Sequence, residues 1–258
     1  NIFLKKFNYY IFLTTCIVLY LFGVLDDKFS ISPNTKFILL IIIILPIIIL
    51  DSNISLSIIR LSFLGQDYYI GNFTIVWTVL CFLLLFNAIN MFDGINLQVG
   101  FYILFVFIFF ISNDFNKAFF ISLSAGVISF LILNFRSNSF LGDGGAYLIS
   151  FLLGYFFIKM YNLKIILHAD QVVLFMLIPG LDLMRLFIIR ILNKKNPFSA
   201  DRNHLHHLLL KKFSYYKVIL IIQSLIFLPV IFNLIFGYTF IYLVFTLMVY
   251  SIIIYKTT

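Results

Sequence analysis

Glutamate is missing from this chain, and charge of either sign is scarce. All ten acidic residues are aspartate, and charged residues make up 11% of the 258. Ordinary soluble domains carry roughly 25%, so a water-solvated globule is excluded. Cysteine is almost missing as well. Cys16 and Cys81 both lie in apolar runs and read as small core residues, so a disulfide framework and a CxxC metal site are excluded. No cleavable signal peptide opens the chain, whose first residue is Asn. No internal repeat is evident, which counts against the repeated halves of many transporters.

What remains is apolar. Hydrophobic residues make up 63% of the chain, and its mean hydropathy is +1.10. A membrane span needs roughly 20 predominantly apolar residues. About nine candidates follow, at 9–25, 36–50, 73–89, 99–112, 117–135, 144–160, 171–192, 216–234 and 237–255, the second and fourth being short. Lipid offers backbone groups no partner, so these runs are expected to be helices, giving an all-α integral membrane protein of one domain. In residues 51–71, alternation around Ile54, Leu56 and Ile58 with a turn at Gly65-Gln66-Asp67 predicts a short extracytoplasmic hairpin.

The net charge of +8 is placed for a membrane, and nucleic acid is set aside. Most cations, including Lys28, Lys36, Arg136, Arg190, Arg202 and Lys211, fall on one predicted face, which the positive-inside bias makes cytoplasmic.

The aspartates share that face. Asp26 and Asp27 follow the first span, Asp93 the third, Asp143 the fifth, and Asp201 the seventh, beside His204, His206 and His207. Each step skips two spans, so the chain returns to one side and gathers carboxylates and imidazoles from separate loops. A metal and phosphate site is the reading.

Each motif also has a plainer explanation. A helix cap before Ser32-Pro33 accounts for one of Asp26 and Asp27 but not both. Neighbours on a helix point about 100° apart, so the pair is expected to divide its roles. Asn87 and Asn90 share a helix face, and Asp93-Gly94 reads as a turn. Buried amides there need partners, which a nucleotide or Mg2+ would supply, unless Asp93 is only an Asx-turn. Gly142, Gly144 and Gly145 allow a ligand close to the backbone, while Asp143 also suits an N-cap. His204 and His207 are expected on one helical face with His206 beside them. Zinc lacks a good ligand set, whereas imidazoles with Arg202 suit a diphosphate. Asp182 and Arg185, three apart after Pro179-Gly180, read as a salt bridge at a kink.

The segments LDDKF, NAINMFDGIN, LGDGGAYL and PFSADRNHLHHLL, in that order, resemble the polyprenyl-phosphate N-acetylhexosamine-1-phosphate transferases over nearly the whole chain. The resemblance implies a multi-span helical enzyme with its active site on the cytoplasmic face of the bacterial inner membrane. Such an enzyme couples a UDP-N-acetylhexosamine to undecaprenyl or another polyprenyl phosphate and releases UMP. It also implies Mg2+, with Mn2+ as a substitute, and leaves room for a homodimer. By motif, Asp143 matches the metal ligand, with Asp93 assisting. Asp26 and Asp27 match paired aspartates assigned to the lipid phosphate and catalysis, with Lys36 beside them. Asn87, Asn90, Asp93 and Asn96 fall on the nucleotide side, and Arg202 with His204, His206 and His207 matches the histidine loop. DRNHLHH looks more like the branch that starts O-antigen, teichoic acid or capsule chains than the phospho-MurNAc-pentapeptide branch.

Two departures stand out. Asn96 and Leu97 replace a usual aspartate and glycine, and the family's first two helices are not represented. A transporter or flippase is the rival from another class, and an inactive relative a second. The transporter predicts ionisable residues at mid-bilayer, where only Asp182 and Arg185 lie.

Overall fold

The computed structural model describes residues 2–194 and 203–257. It is an all-α membrane protein with one small hairpin, and its chain divides into two compact units. The first comprises residues 1–90 and 141–169, the second residues 91–140 and 170–258.

The first unit is built from α1 (Ile2–Phe29), α2 (Pro33–Leu50), most of α3 (Thr74–Phe92) and α6 (Gly142–Asn162), with β1 (Ile58–Arg60) and β2 (Asp67–Tyr69) between α2 and α3. α2 starts where its sequence says it should. Ser32 is the N-cap and accepts from Thr35 N–H, and Pro33 follows at the first helical position, where its missing donor costs nothing. α6 is the most buried span although it is the least apolar. Its small residues explain this, because without a hydrophobic drive in lipid, helices associate where backbones can approach. Gly23 of α1 lies directly against the Gly144 backbone, and a Cβ on Gly154 would stand 2.6 Å from the Phe82 ring of α3. Phe82 and Phe151 stack in the same layer.

The hairpin is present but shorter than the alternation implied. Ile58 pairs with Tyr69 and Arg60 with Asp67. Residues Ser52–Ile54 instead form a 3-10 turn capped by Asp51, so the expected start at Ile54 and the turn at Gly65–Asp67 are both displaced. Tyr161 fixes the hairpin to α6: its hydroxyl donates to Ile58 O at 3.1 Å and accepts from Arg60 N–H at 2.7 Å.

The second unit contains α4 (Gln98–Ser112), α5 (Lys117–Phe135), α7 (Ala169–Leu192), α8 (Leu205–Leu210), α9 (Tyr215–Phe236) and α10 (Thr239–Thr257). Phe105 of α4 stacks on Phe227 of α9 at 4.1 Å, and Phe109 meets Phe175 of α7 at 4.6 Å. Among the described residues eight helices are long and apolar enough to cross a membrane. The fourth candidate, α4, has 15 residues and is about 22 Å long, short of the roughly 30 Å hydrocarbon core.

Candidate active site

In the first unit the expected acidic residues meet at one end of the helices. Asp26 and Asp27 stand side by side in the last turn of α1 and diverge, as helix geometry requires. The Asp26 carboxylate is fully buried and ion-pairs with Lys36 Nζ of α2 at 2.7 Å. It also accepts from Tyr147 OH at 2.9 Å and from Ile31 N–H at 3.1 Å. Asp27 turns the other way. Its two oxygens accept the Asp143 N–H at 3.0 and 3.1 Å, so it closes the start of α6 from another helix. That start is tight: Gly142 has φ +64°, and a Cβ there would stand 2.7 Å from Asp27 Oδ2. Asp143 is therefore not the N-cap. It sits inside the first turn, Leu141 occupies the cap position without a side-chain bond, and the Asp143 carboxylate is released for other partners.

Those partners are Asn90 and Lys36. Asn90 Nδ2 donates to Asp143 Oδ1 at 2.5 Å, and Lys36 Nζ lies 3.4 Å from Oδ2. Lys36 thus bridges Asp26 and Asp143. Asn87 behaves differently, because its amide bonds back to Leu83 O of its own helix at 2.7 Å. That local partner takes one amide N–H of Asn87, while its neighbour Asn90 joins the cluster.

Among the described residues no group of three or more His, Cys, Asp or Glu is spaced to hold a metal by itself. Mg2+ does not require one, since it keeps several waters and is held through one or two carboxylates plus substrate phosphates. Asp26 and Asp143 share a single ammonium, Lys36, Asp27 holds the Asp143 N–H beside them, and all three offer only hard oxygen donors. That donor set is chemically compatible with a hydrated Mg2+.

The second unit holds Asp93, Asn96 and the histidines. Asn96 and Leu97, where the motif departs, are structurally employed. Asn96 Nδ2 donates to Ser137 Oγ at 2.9 Å, Tyr215 OH donates to Asn96 O at 2.7 Å, and Leu97 N–H donates to Asn134 Oδ1 at 2.6 Å. Leu97 has φ +69°, the left-handed region that explains why glycine suits the position. Its side chain packs with Leu131 and Ile219 instead.

α8 begins at Leu205, so His204 is its N-cap rather than a helical residue. This changes the expected pairing. The His204 and His206 rings lie parallel at 5.5 Å, whereas His207 is 6.3 Å from His204 and 4.2 Å from His206. The His206 ring packs directly on Gly94, where a Cβ would force the ring to shift. Its burial, with His207 and His204 beside it, pushes the His206 imidazole down to about 3. His206 is therefore neutral at physiological pH and supplies no charge to an anion. Arg202 and Asp201 lie outside the described residues.

Sequence reasoning missed the partner of the histidines. The Asp182–Arg185 ion pair exists, at 2.7 Å, but Asp182 also receives His204 Nδ1 at 3.0 Å. The signal was an intramembrane carboxylate, which is a functional candidate by default.

A family model described as glycosyl transferase family 4 matches residues 9–161, well over half of the chain. The chain belongs to glycosyl transferase family 4. The family match contains the whole acidic cluster and stops short of the histidines. A Bacillus subtilis (strain 168) protein named probable undecaprenyl-phosphate N-acetylglucosaminyl 1-phosphate transferase is 26% identical over 201 residues, covering 75% of this chain and 56% of the relative. Undecaprenyl-phosphate alpha-N-acetylglucosaminyl 1-phosphate transferases are also similar. The Thermotoga maritima protein is 28% identical over 81% of this chain and 64% of its own length. The Escherichia coli O157:H7 protein is 25% identical over 75% and 56%. The family 4 chain described here thus spans under two thirds of the length of these relatives.

Proposed function

We propose that this chain transfers an N-acetylhexosamine 1-phosphate from a UDP-sugar to a polyprenyl phosphate, releasing UMP and starting a cell-envelope polysaccharide. The observation that carries the reading is Asp143, held at the start of α6 between Asn90 and Lys36 within the residues that match the family. The names of the relatives support undecaprenyl phosphate as the acceptor and N-acetylglucosamine 1-phosphate as the transferred group. The placement of the cations supports a site facing the cytoplasm, where the sugar nucleotide arrives.

In this reaction an oxygen of the lipid phosphate forms a bond to the sugar-linked phosphorus. The bond from that phosphorus to the bridging oxygen breaks, and UMP leaves with its electron pair. Such transfer relies on positioning and charge neutralisation. Asp143, with Asn90 and Asp26 beside it, would hold Mg2+, which supplies charge neutralisation for the diphosphate and the leaving UMP; Mn2+ suits the same oxygens. Lys36 orients the lipid phosphate. A phosphate monoester has a second pKa near 6, so the nucleophile is already mostly dianionic at neutral pH. The engagements of Asp26 and Asp27 agree with that: one is ion-paired and the other caps α6, so both position groups and neither needs to remove a proton. In the second unit Asp93 serves the nucleotide, and His204, His206, His207 and Arg202 serve the polar groups of the sugar nucleotide.

The test is UMP release by the purified protein given undecaprenyl phosphate, Mg2+ and UDP-N-acetylglucosamine, with Asp143→Asn alongside. Mg2+-dependent release that Asp143→Asn abolishes is the expected result. Release with UDP-MurNAc-pentapeptide alone would move the chain to the peptidoglycan branch. Silence from a folded protein across all donors would reject the transfer reading.

A further inference from the structure

Asp182 lies midway along α7 and is buried, yet it makes far more bonds than an ion pair with Arg185 requires. Its Oδ1 accepts from Arg185 at 2.7 Å and from Tyr250 OH at 3.1 Å. The Leu205 N–H reaches both oxygens, at 3.1 and 3.2 Å, and His204 Nδ1 lies 3.0 Å from Oδ2. Arg185 reinforces the hold by donating to Tyr250 OH at 3.0 Å and to Asn203 O at 2.5 Å. One carboxylate thus binds α7, α10 and the first residues of the histidine segment.

The chemistry of the pair fixes a tautomer. A carboxylate only accepts, so His204 Nδ1 must carry the hydrogen. Nε2 is then the nitrogen left to meet other groups. The geometry also fixes depth. Asp182 precedes the last residue of α7, Leu192, by about 15 Å of helix rise, so the anchor holds His204 well back from the helix end. The His206 ring lies parallel to His204 at 5.5 Å, so the orientation of one ring carries to the next.

We propose that Asp182 is the positioning residue of the histidine segment, holding His204 as the Nδ1–H tautomer so that the sugar nucleotide meets Nε2. The inference rests on the transfer reading for its substrate, but the anchor can be tested without activity.

The experiment is imidazole nitrogen NMR on histidine-labelled protein in lipid, together with kcat and KM for the sugar nucleotide, for wild type, Asp182→Asn and Asp182→Glu. The chain has only four histidines, so His204 can be assigned by substituting the others. Wild type and Asp182→Glu should show hydrogen on Nδ1. In Asp182→Asn the amide can donate to Nδ1 and the ring should switch to Nε2–H, with kcat falling on the order of 100-fold or more and KM changing far less. An Nε2–H tautomer in wild type overturns the proposal, and so does an unchanged tautomer in a folded Asp182→Asn, whatever its rate. A switched tautomer with unchanged kcat overturns the role in transfer. If Asp182→Asn does not fold, Asp182→Glu and wild type decide, since loss of Nδ1–H in the retained carboxylate overturns the anchor. A wild type without transfer rejects the transfer reading, while the tautomers still decide the anchor.

Discussion

Asp27, at the end of α1, closes the helix that carries Asp143: both of its carboxylate oxygens accept the Asp143 N–H, at 3.0 and 3.1 Å. A carboxylate at a helix N-terminus satisfies an otherwise unpaired donor and complements the positive end of the helix dipole. The last turn of one span therefore sets the orientation of a carboxylate more than a hundred residues later.

On the proposed reading Asp27 positions α6 and is not a catalytic base. Asp27→Asn keeps an acceptor oxygen but loses the charge. Its transfer rate should fall by the same factor at about pH 6, near the second phosphate pKa, and at about pH 8, well above it. A loss confined to the lower pH in the pH–rate profile would restore the base.

The approach of α1 to α6 at Gly23 has no room for a methyl group. Gly23→Ala should cost about 1–3 kcal/mol through overpacking, lower the thermal midpoint, and reduce transfer by moving Asp26 and Asp27 relative to Asp143. A Cβ on Gly126 of α5 meets nothing within 4 Å, so Gly126→Ala should stabilise by about 0.5–1 kcal/mol. Equal midpoints for the two variants would contradict the close approach.

Asn96 and Leu97 are replacements that the structure has absorbed. Asn96→Asp keeps an acceptor for Asn134 and lets the Ser137 hydroxyl donate, so its stability should stay within about 0.5 kcal/mol of wild type. Leu97→Gly relieves about 1–2 kcal/mol of left-handed strain but loses a buried side chain usually worth about 2–5 kcal/mol. The packing loss is larger, so this reversion should destabilise. Denaturation of both variants in detergent checks the order.

His206 gives a pH dependence of known sign. Its value is pushed from the ordinary 6.5 down to about 3, so below about 6.5 the unfolded chain takes up a proton that the folded chain refuses. The stabilisation is complete above that pH and is lost progressively as pH falls toward 3. The His206 ring should show no titration between about pH 7 and pH 5 by NMR. An ordinary midpoint near 6.5 would show that the ring is not buried against Gly94.

How much of this could be read from the sequence depended on the range of the interaction. The meeting of Asp26, Asp27, Asn90 and Asp143 followed from counting spans, because an even number of crossings returns the chain to the same side. The division of roles between Asp26 and Asp27 followed from helix geometry. Asn87 could not be separated from Asn90 by pattern, since a bond to the i−4 carbonyl and a bond to another helix begin from the same residue type. The left-handed backbone at Leu97 was hidden because a leucine stands there. The anchoring of His204 by Asp182 was also hidden, because the i, i+3 pairing with Arg185 already accounts for the carboxylate, and nothing local marks its second partner.

On the proposed reading, the sugar and its attached phosphate move together onto a lipid phosphate. The most direct test is a UDP-N-acetylglucosamine carrying one label in the sugar and another in the sugar-linked phosphate, incubated with the protein, Mg2+ and undecaprenyl phosphate. Both labels appearing in the lipid in equal amounts, with UMP left in water, is the predicted result. Sugar label reaching the lipid without the phosphate label would mean hexose transfer with UDP release, and would contradict the account.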